Sequence, residues 1–213
     1  TIGSRVKSDF VFLSEKIQLI TTTMEEDFPD KNKREMFLNL FFKEDKSFLM
    51  VGIFSIQDEI LKEISIQYNK EFLRDNELNE SDFQNLIQIH TKAFQRTGAG
   101  QAILTNTSPG IKVPSFALSI PYGKDTGKIV IAIVHMNRIK DTFEKKNGIM
   151  ETFLINDEGT IVAHPDETTM FAAKDVLDSP VVQITLKNQL ERGQTRFKEA
   201  NGEFYLGSFK KIG

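Results

Sequence analysis

The chain has 213 residues, a length that suits one large domain or two small ones. Hydrophobic residues make up 39% and charged residues 27%, an ordinary globular balance, and the net charge of −3 provides no basic surface for nucleic acid. The lack of cysteine excludes disulfides, thiolate zinc sites and a cysteine nucleophile, and it leaves the cellular compartment open.

The apolar runs are too short for a membrane span. The longest is IVIAIV at Ile129–Val134, whereas a helix needs about 20 apolar residues to cross a bilayer. No signal peptide is visible in the sequence. The chain starts without an initiator methionine and stops just after a strand-like run, which predicts a fragment of a longer protein.

A long helix is the first predicted element, and it ends before Pro29. Its apolar residues recur at alternating spacings of four and three, as in a heptad seam: Val6, Phe10, Leu13, Ile17, Ile20 and Met24. Two interpretations fit this seam. The helix packs on its own domain, or it also pairs with its copy in a homodimer.

The first half of the chain then mixes helices and strands. In chain order we predict a helix over 30–45, strands over 47–56 and 59–68, a helix over 79–96, and strands over 101–106, 113–122 and 127–136. Asp30 is the expected N-cap of the first of these helices, and Asn79 or Ser81 that of the second. The strand over 59–68 also fits a helical stripe.

The second half partly repeats this order. A helical linker over 137–148 precedes a hairpin over 150–165, in which Gly159 supplies the positive φ of the turn. A helix starting near Asp178 or Ser179 and a hairpin turning at Asn201–Gly202 complete the chain. Both halves therefore read as a hairpin, a helix and further antiparallel strands, with the second copy short by about one strand.

The segment FLINDEGTIVAHPDE at Phe153–Glu167 carries a resemblance to a known family. With the long first helix and the two PAS-like halves, it resembles the double Cache sensor domain of bacterial transmembrane receptors. Asn156 stands where that family often has an acidic residue. The positions that match the family hairpin are Leu154, Gly159, Ile161, His164, Pro165 and Asp166.

The resemblance implies an α+β fold with a long helix over 1–29, a membrane-distal PAS-like module over 30–140 and a membrane-proximal module over 141–213 that is incomplete at its C-terminus. It implies the periplasmic part of an inner-membrane signal transducer, anchored by flanking transmembrane helices outside this chain. Such proteins are chemoreceptors, histidine kinases or nucleotide cyclases. The residue pattern of this chain most resembles that of the cyclases. The amino-acid-binding signature Tyr, Arg-x-Trp-Tyr and Asp is not found, since the chain has no tryptophan.

In this family the distal module holds a small molecule, so polar residues on its later strands are candidate ligand contacts. Arg96, at a predicted helix end, is the natural partner for a carboxylate. The other candidates are Thr105, Asn106, Ser115, Ser119 and Tyr122. The alternative function is a dimerisation or protein-interaction module that binds no small molecule.

His164 and Asp166 allow three interpretations. His164 closes a strand and Asp166 caps the following turn, or the pair contacts a ligand, or it forms the base and orienter of a hydrolase. No Gly-x-Ser-x-Gly elbow, P-loop or His-Glu-x-x-His motif accompanies them. His90, His135 and His164 are too far apart in sequence for a typical zinc site. We therefore predict no catalytic residue, metal or cofactor.

Overall fold

The computed structural model describes residues 2–25, 30–123, 127–143, 152–173, 175–187, 190–198 and 202–212. Pro29, the predicted end of the first helix, and Asn201 of the last predicted turn lie outside these ranges. The helices are α1 (Ile2–Glu25), α2 (Lys31–Glu44), α3 (Lys70–Asp75), α4 (Glu80–Ile89), α5 (Thr91–Thr97), α6 (Ser108–Ile111), α7 (Asn137–Phe143), α8 (Glu167–Phe171) and α9 (Pro180–Lys187). The strands are β1 (Phe48–Gln57), β2 (Ile60–Tyr68), β3 (Ile103–Asn106), β4 (Ser115–Pro121), β5 (Lys128–His135), β6 (Leu154–Ile155), β7 (Ile161–Ala163), β8 (Arg192–Lys198) and β9 (Phe204–Lys210).

Helix α1 turns its heptad seam toward the chain's own core. Phe10 is partly buried and meets Phe116 edge-on, with ring centroids 5.9 Å apart. The other seam residues are 0–2% exposed: Val6, Leu13, Ile17, Ile20 and Met24. The self-packing interpretation is confirmed. A homodimer through α1 stays a prediction, and it would use the outer face, where Val11 and Leu19 are 52% and 55% exposed.

A five-stranded antiparallel sheet in the order β2-β1-β5-β4-β3 forms the centre of the first half. The central strand β5 is apolar at every position of IVIAIV because helices cover both faces of the sheet. One face packs against α1 and α2, and we call it the α1 face. The other, the α5 face, packs against a helical layer that includes Phe83, Leu86 and Phe94.

The predicted helix over 79–96 is two helices that meet at His90, so that prediction was wrong about continuity. The backbone of His90 leaves the helical region at φ −99° and ψ 12°. The Thr91 hydroxyl donates to the carbonyl of Ile87 at 3.0 Å, a local bond of the kind that bends helices. The short helices α3 and α6 were not predicted at all, since neither is long enough to show a periodic pattern.

The second half contains two separate hairpins, β6-β7 and β8-β9. Gly159 turns the first hairpin at φ 80°. The first hairpin and α8 share one core with α1, through Leu154, Val162 and Met170. Helix α9 packs on the second hairpin so closely that a Cβ at Gly207 would lie 2.7 Å from Val181. The predicted module boundary at residue 140 falls inside α7 and stays a prediction.

Candidate ligand-binding site in the five-stranded sheet

A group of small hydroxyl side chains lies buried where α5 and the α6 turn cover β3 and β4. Three of these residues are among the predicted ligand contacts, and all are at most 7% exposed. We call this group the hydroxyl cluster, and its members are Thr97, Thr105, Thr107, Ser108, Ser115 and Ser119. Buried hydroxyls normally find partners, so the hydrogen bonds of the cluster decide what it can do.

Most of the cluster is satisfied internally. The Thr97 hydroxyl donates to Ser119 Oγ at 2.9 Å, which fastens the end of α5 to the middle of β4. Thr107 and Ser115 share a hydrogen bond of 2.8 Å between their hydroxyl oxygens. Ser108 Oγ donates to the carbonyl of Ser115 and accepts from its amide, both at 3.0 Å. The bonds of Thr107 and Ser108 to Ser115 hold the turn between β3 and β4 against the start of β4.

Thr105 differs from its neighbours. Its side chain is on the α5 face, because it pairs directly with Ala117, which belongs to that core. It is 7% exposed, and its hydroxyl oxygen finds no hydrogen-bond partner among the residues that the structure describes. Leaving a buried hydroxyl unpaired costs about 1–3 kcal/mol. Thr105 is therefore a buried hydroxyl whose hydrogen-bonding capacity is unused among the described residues.

Arg96 does not face this cluster. Its guanidinium donates to Asp157 and Glu158, the two carboxylates of the turn between β6 and β7. The ion pair joins α5 of the first half to the first hairpin of the second half. That Arg96 binds a ligand carboxylate stays a prediction. Such a carboxylate would compete with Asp157 and Glu158 for the guanidinium.

Asn106 also points toward the second half of the chain. It follows Thr105 on β3, so its side chain lies on the opposite face. Asn106 Nδ2 donates to the carbonyl of Met170 in α8 at 2.8 Å, and its Oδ1 accepts from the Ser108 amide at 3.0 Å. At 4% exposure it is a buried bridge between β3, the α6 turn and α8.

Tyr122 is the sixth predicted contact, and it lies beyond β4 on the α1 side. Its hydroxyl donates to Glu25 Oε2 at 2.6 Å, and Lys128 Nζ lies 3.6 Å from the other oxygen of that carboxylate. Burial and the neighbouring Glu25 raise the pKa of Tyr122 to about 12. The structure thus brings Thr105, Ser115 and Ser119 together and places Arg96, Asn106 and Tyr122 elsewhere.

The His-Pro-Asp segment of the second half closes β7 and opens α8. The Asp166 side chain accepts from the Thr168 amide at 2.9 Å, so its predicted capping role is confirmed. Hydrogen bonds from Thr168 lower the pKa of Asp166. His164 Nδ1 accepts from the Asp166 amide at 3.0 Å, and His135 Nδ1 accepts from Asn137 in the same way after β5. A ligand contact by His164 stays a prediction.

Sequence reasoning missed several residues that complete these groups. Thr97, Thr107 and Ser108 belong to the hydroxyl cluster, and the hydroxyl-rich segment TNTSP at 105–109 was the available signal. The acidic partners of Arg96 carried no such signal, because they lie 61 and 62 positions away in the sequence. Within the described part of the chain, no group of three or more acidic or histidine side chains could hold a metal ion.

Solved structures share this fold at low sequence identity. An extracellular ligand-binding receptor from Desulfohalobium retbaense is 11% identical with a TM-score of 0.56, and the match covers 92% of this chain and 34% of that chain. The extracellular domain of one histidine kinase is 12% identical with a TM-score of 0.55, covering 98% and 84%. A second such domain is 15% identical with a TM-score of 0.51, covering 97% and 84%.

The predicted α+β fold class, a long N-terminal helix followed by antiparallel sheets, is therefore confirmed, and it is the fold of extracellular sensor domains. This chain spans about a third of the length of the Desulfohalobium receptor. No protein-family model and no curated protein sequence matches it. Among the described residues, no helix is both long and apolar enough to cross a bilayer.

Proposed function

We propose that this chain is the extracytoplasmic ligand-sensing part of a transmembrane signal transducer, and that the ligand binds at the hydroxyl cluster. The observation that carries the proposal is Thr105, a buried hydroxyl without a partner among the described residues, next to hydroxyls that all have one. A fold shared with extracellular receptor and kinase domains supports the sensing role.

The ligand class follows from the polarity of the site. The members of the hydroxyl cluster carry no charge, and the surrounding α5-face core is apolar, with Ile103, Ile111 and Ala117 as close neighbours along the chain or the sheet. Burying an ion without a counter-charge costs far more than burying a neutral group. We therefore propose a small uncharged ligand that accepts or donates one hydrogen bond at Thr105 Oγ1.

Two contacts connect the hydroxyl cluster to the second half of the chain. Thr97 of the cluster is next to Arg96, whose partners are Asp157 and Glu158 of the first hairpin. Thr105 is next to Asn106, which is bonded to α8. A ligand that favours one position of α5 and β3 over another shifts both contacts. The shift is limited by the difference in affinity between the two positions.

The family resemblance and the shared fold also support a proposal for the location and type of the parent protein. The module lies on the periplasmic side of an inner membrane, and the parent protein is a chemoreceptor, histidine kinase or nucleotide cyclase, the last being the type that the sequence most resembles. We propose no catalytic role for this chain, since Asp166 serves as a helix cap. A homodimer through the outer face of α1 belongs to the same proposal.

A thermal-shift screen tests the ligand proposal. Small neutral alcohols, amides, ketones and purines are compared with amino acids, carboxylates, amines and divalent cations. A ligand at 100 times its Kd stabilises the protein by about 2.7 kcal/mol, a rise in Tm of roughly 5–10 °C for a chain of this size. We expect the hits to be neutral compounds, with the shift lost in Thr105→Val.

The variants also separate a ligand-binding hydroxyl from a structural one. Thr105→Val removes an unpaired buried hydroxyl at nearly constant shape, so we expect the ligand-free variant to be as stable as the wild type or more stable. The matched control Thr97→Val breaks the bond to Ser119 and should be less stable by about 1 kcal/mol. A charged hit that survives Thr105→Val and disappears in Arg96→Ala would contradict the proposal. A blank panel would favour the protein-interaction alternative.

A further inference from the structure

His135 lies at the junction between the five-stranded sheet and the second half of the chain. It ends the central strand β5, and α7 begins two residues later. Its backbone amide donates to the carbonyl of Ser47 at 2.7 Å, and its ring meets Phe72 of α3 edge-on, with ring centroids 5.7 Å apart. Contacts with the first half of the chain therefore hold the imidazole in place.

The imidazole of His135 also holds the first amide of α7. Its Nδ1 accepts a hydrogen bond from the backbone amide of Asn137 at 3.0 Å. The first amides of a helix have no acceptor within the helix, so this bond supplies a missing partner. A ring nitrogen that accepts carries no proton, which places the proton of the neutral imidazole on Nε2. The bond therefore exists only while Nδ1 is unprotonated.

Two charged side chains act on the His135 ring from neighbouring helices, and they form one ion pair. Lys140 Nζ of α7 lies 3.1 Å from Glu167 Oε1 of α8, which joins the two helices. Burial lowers the pKa of His135, Glu167 raises it and Lys140 lowers it. Ser115, opposite His135 on β4, and Phe72 add no charge. An imidazolium at this position competes with Lys140 for the Glu167 carboxylate, since both cations are attracted to it.

We propose that His135 is an acid-sensitive switch at the junction of β5, α7 and α8. A proton from solvent binds Nδ1, the bond from the Asn137 amide breaks, and the imidazolium attracts Glu167 away from Lys140. The first change frees the start of α7 from β5, and the second weakens the link between α7 and α8. Acid thus alters how the second half is held on the sheet, in the way that histidines operate other pH-dependent switches.

The direction of the switch follows from the environment of the ring. Burial keeps the folded-state pKa of His135 below its ordinary value of about 6.5. The bond to Asn137 is therefore intact above about pH 6.5, and it is lost as the pH falls through the folded-state pKa. The switch needs no ligand other than the proton, so it does not depend on the proposed site at Thr105.

A titration of the isotope-labelled protein by NMR tests the switch. The ring shifts of His135 report which nitrogen carries a proton, and amide protection factors at 137–140 report the start of α7. Protection factors are corrected for the intrinsic pH dependence of exchange. From pH 8 to pH 5 we expect these factors to fall about 2–10-fold, as for the loss of one hydrogen bond, with the midpoint at which His135 Nδ1 is protonated.

Two variants separate the switch from a structural role of the ring. His135→Asn offers an amide oxygen near the position of Nδ1 and does not titrate, so protection at 137–140 should not change over this pH range. Glu167→Gln keeps the bond to Asn137 and removes the carboxylate that favours the imidazolium. Both the His135 titration and the loss of protection should then move to lower pH, a result that stands even if His135→Asn does not fold.

Three results would overturn the proposal. Protection at 137–140 that is unchanged while His135 Nδ1 takes up its proton shows that the cap does not depend on protonation. A folded His135→Asn variant that keeps the wild-type pH dependence assigns the effect to another group. A Glu167→Gln variant in which neither midpoint moves shows that the imidazolium does not attract this carboxylate.

Discussion

The five-stranded sheet and the second hairpin are both antiparallel, yet they are buried to very different extents. In the sheet, β4 and β5 are buried at almost every position, and Phe116 and Ile131 are 0% exposed. In the second hairpin no residue is fully buried, and Leu206 is 73% exposed. The first region provides a buried frame for the candidate site, whereas the second leaves apolar side chains exposed.

Polar bonds also connect the five-stranded sheet to the first hairpin and α8, in addition to the apolar core that these parts share. Arg96 and Asn106 cross from the sheet to the first hairpin and α8. Asn156 Nδ2 crosses in the other direction and donates to the carbonyl of Leu104 at 3.4 Å. We expect a change at the hydroxyl cluster to reach the first hairpin and α8 through these bonds. Four predictions test this contrast.

The largest difference should come from truncating one apolar side chain in each region. Phe116→Ala leaves a cavity between β4 and α1, so we expect a loss of about 3–5 kcal/mol in the free energy of unfolding. Leu206→Ala changes an exposed position on β9 and should stay within about 0.5 kcal/mol of the wild type. Urea denaturation measures both, and equal losses would contradict the contrast in packing.

A smaller loss is expected at the buried bridge between the regions. Asn106→Ala removes the bond to Met170 and takes the acceptor from the buried Ser108 amide, at a cost of about 1–3 kcal/mol. Asn76→Ala is the matched control, since Asn76 makes one exposed hydrogen bond, to the carbonyl of Phe72. Hydrogen exchange should accelerate in α8 for the Asn106 variant alone. Faster exchange confined to the five-stranded sheet would show that Asn106 does not connect the regions.

The pH dependence of stability should arise largely in the first region. Burial lowers the pKa of both His90 and His135, and the bond from Asn137 keeps His135 Nδ1 unprotonated. The unfolded chain binds protons at these histidines near pH 6.5 while the folded chain does not. Stability is therefore fully present above about pH 6.5 and declines as the pH falls toward the folded-state pKa values.

Replacing one of these histidines isolates its share of the decline. We expect His90→Gln to reduce the difference in urea midpoint between pH 7.5 and pH 5.5. His164→Gln in the first hairpin serves as the comparison variant. A wild-type protein that becomes more stable between these two pH values on acidification would contradict the sign of the prediction.

The smallest effect on stability is expected at the ion pair that joins α5 to the first hairpin. Arg96 is 36% exposed and its carboxylate partners are more than half exposed, so Arg96→Gln should cost at most about 1 kcal/mol, and less in high salt. Exchange in the turn at 156–159 should nevertheless become faster. If the turn is unaffected by Arg96→Gln at low salt, the ion pair does not position the first hairpin.

Local patterns in the sequence predicted much of the fold. The heptad seam of α1 and the caps at Asp30 and Asp166 are confirmed, because each depends on residues within a few positions of one another. The break at His90 could not be predicted from periodicity, since the apolar stripe continues from α4 into α5. The partners of Arg96 depend on how the two halves pack, and no local pattern contains that information.

The candidate site was predicted in part for the same reason. Ser115 and Ser119 are four residues apart on one strand, so they share a face, and Thr105 pairs opposite Ala117 between them. Tyr122 lies three positions after Ser119 and Asn106 one position after Thr105, and odd separations place side chains on opposite faces of a strand. Strand parity alone would have separated these two residues from the site.

A crystal structure of the protein with a neutral hit from the thermal-shift screen is the most direct test of the central claim. The proposal predicts the ligand between β3 and α5, with a polar atom about 2.7–3.2 Å from Thr105 Oγ1. A ligand bound away from β3 and α5, or one held by Arg96 after its release from Asp157 and Glu158, would contradict the claim that the hydroxyl cluster is the sensing site.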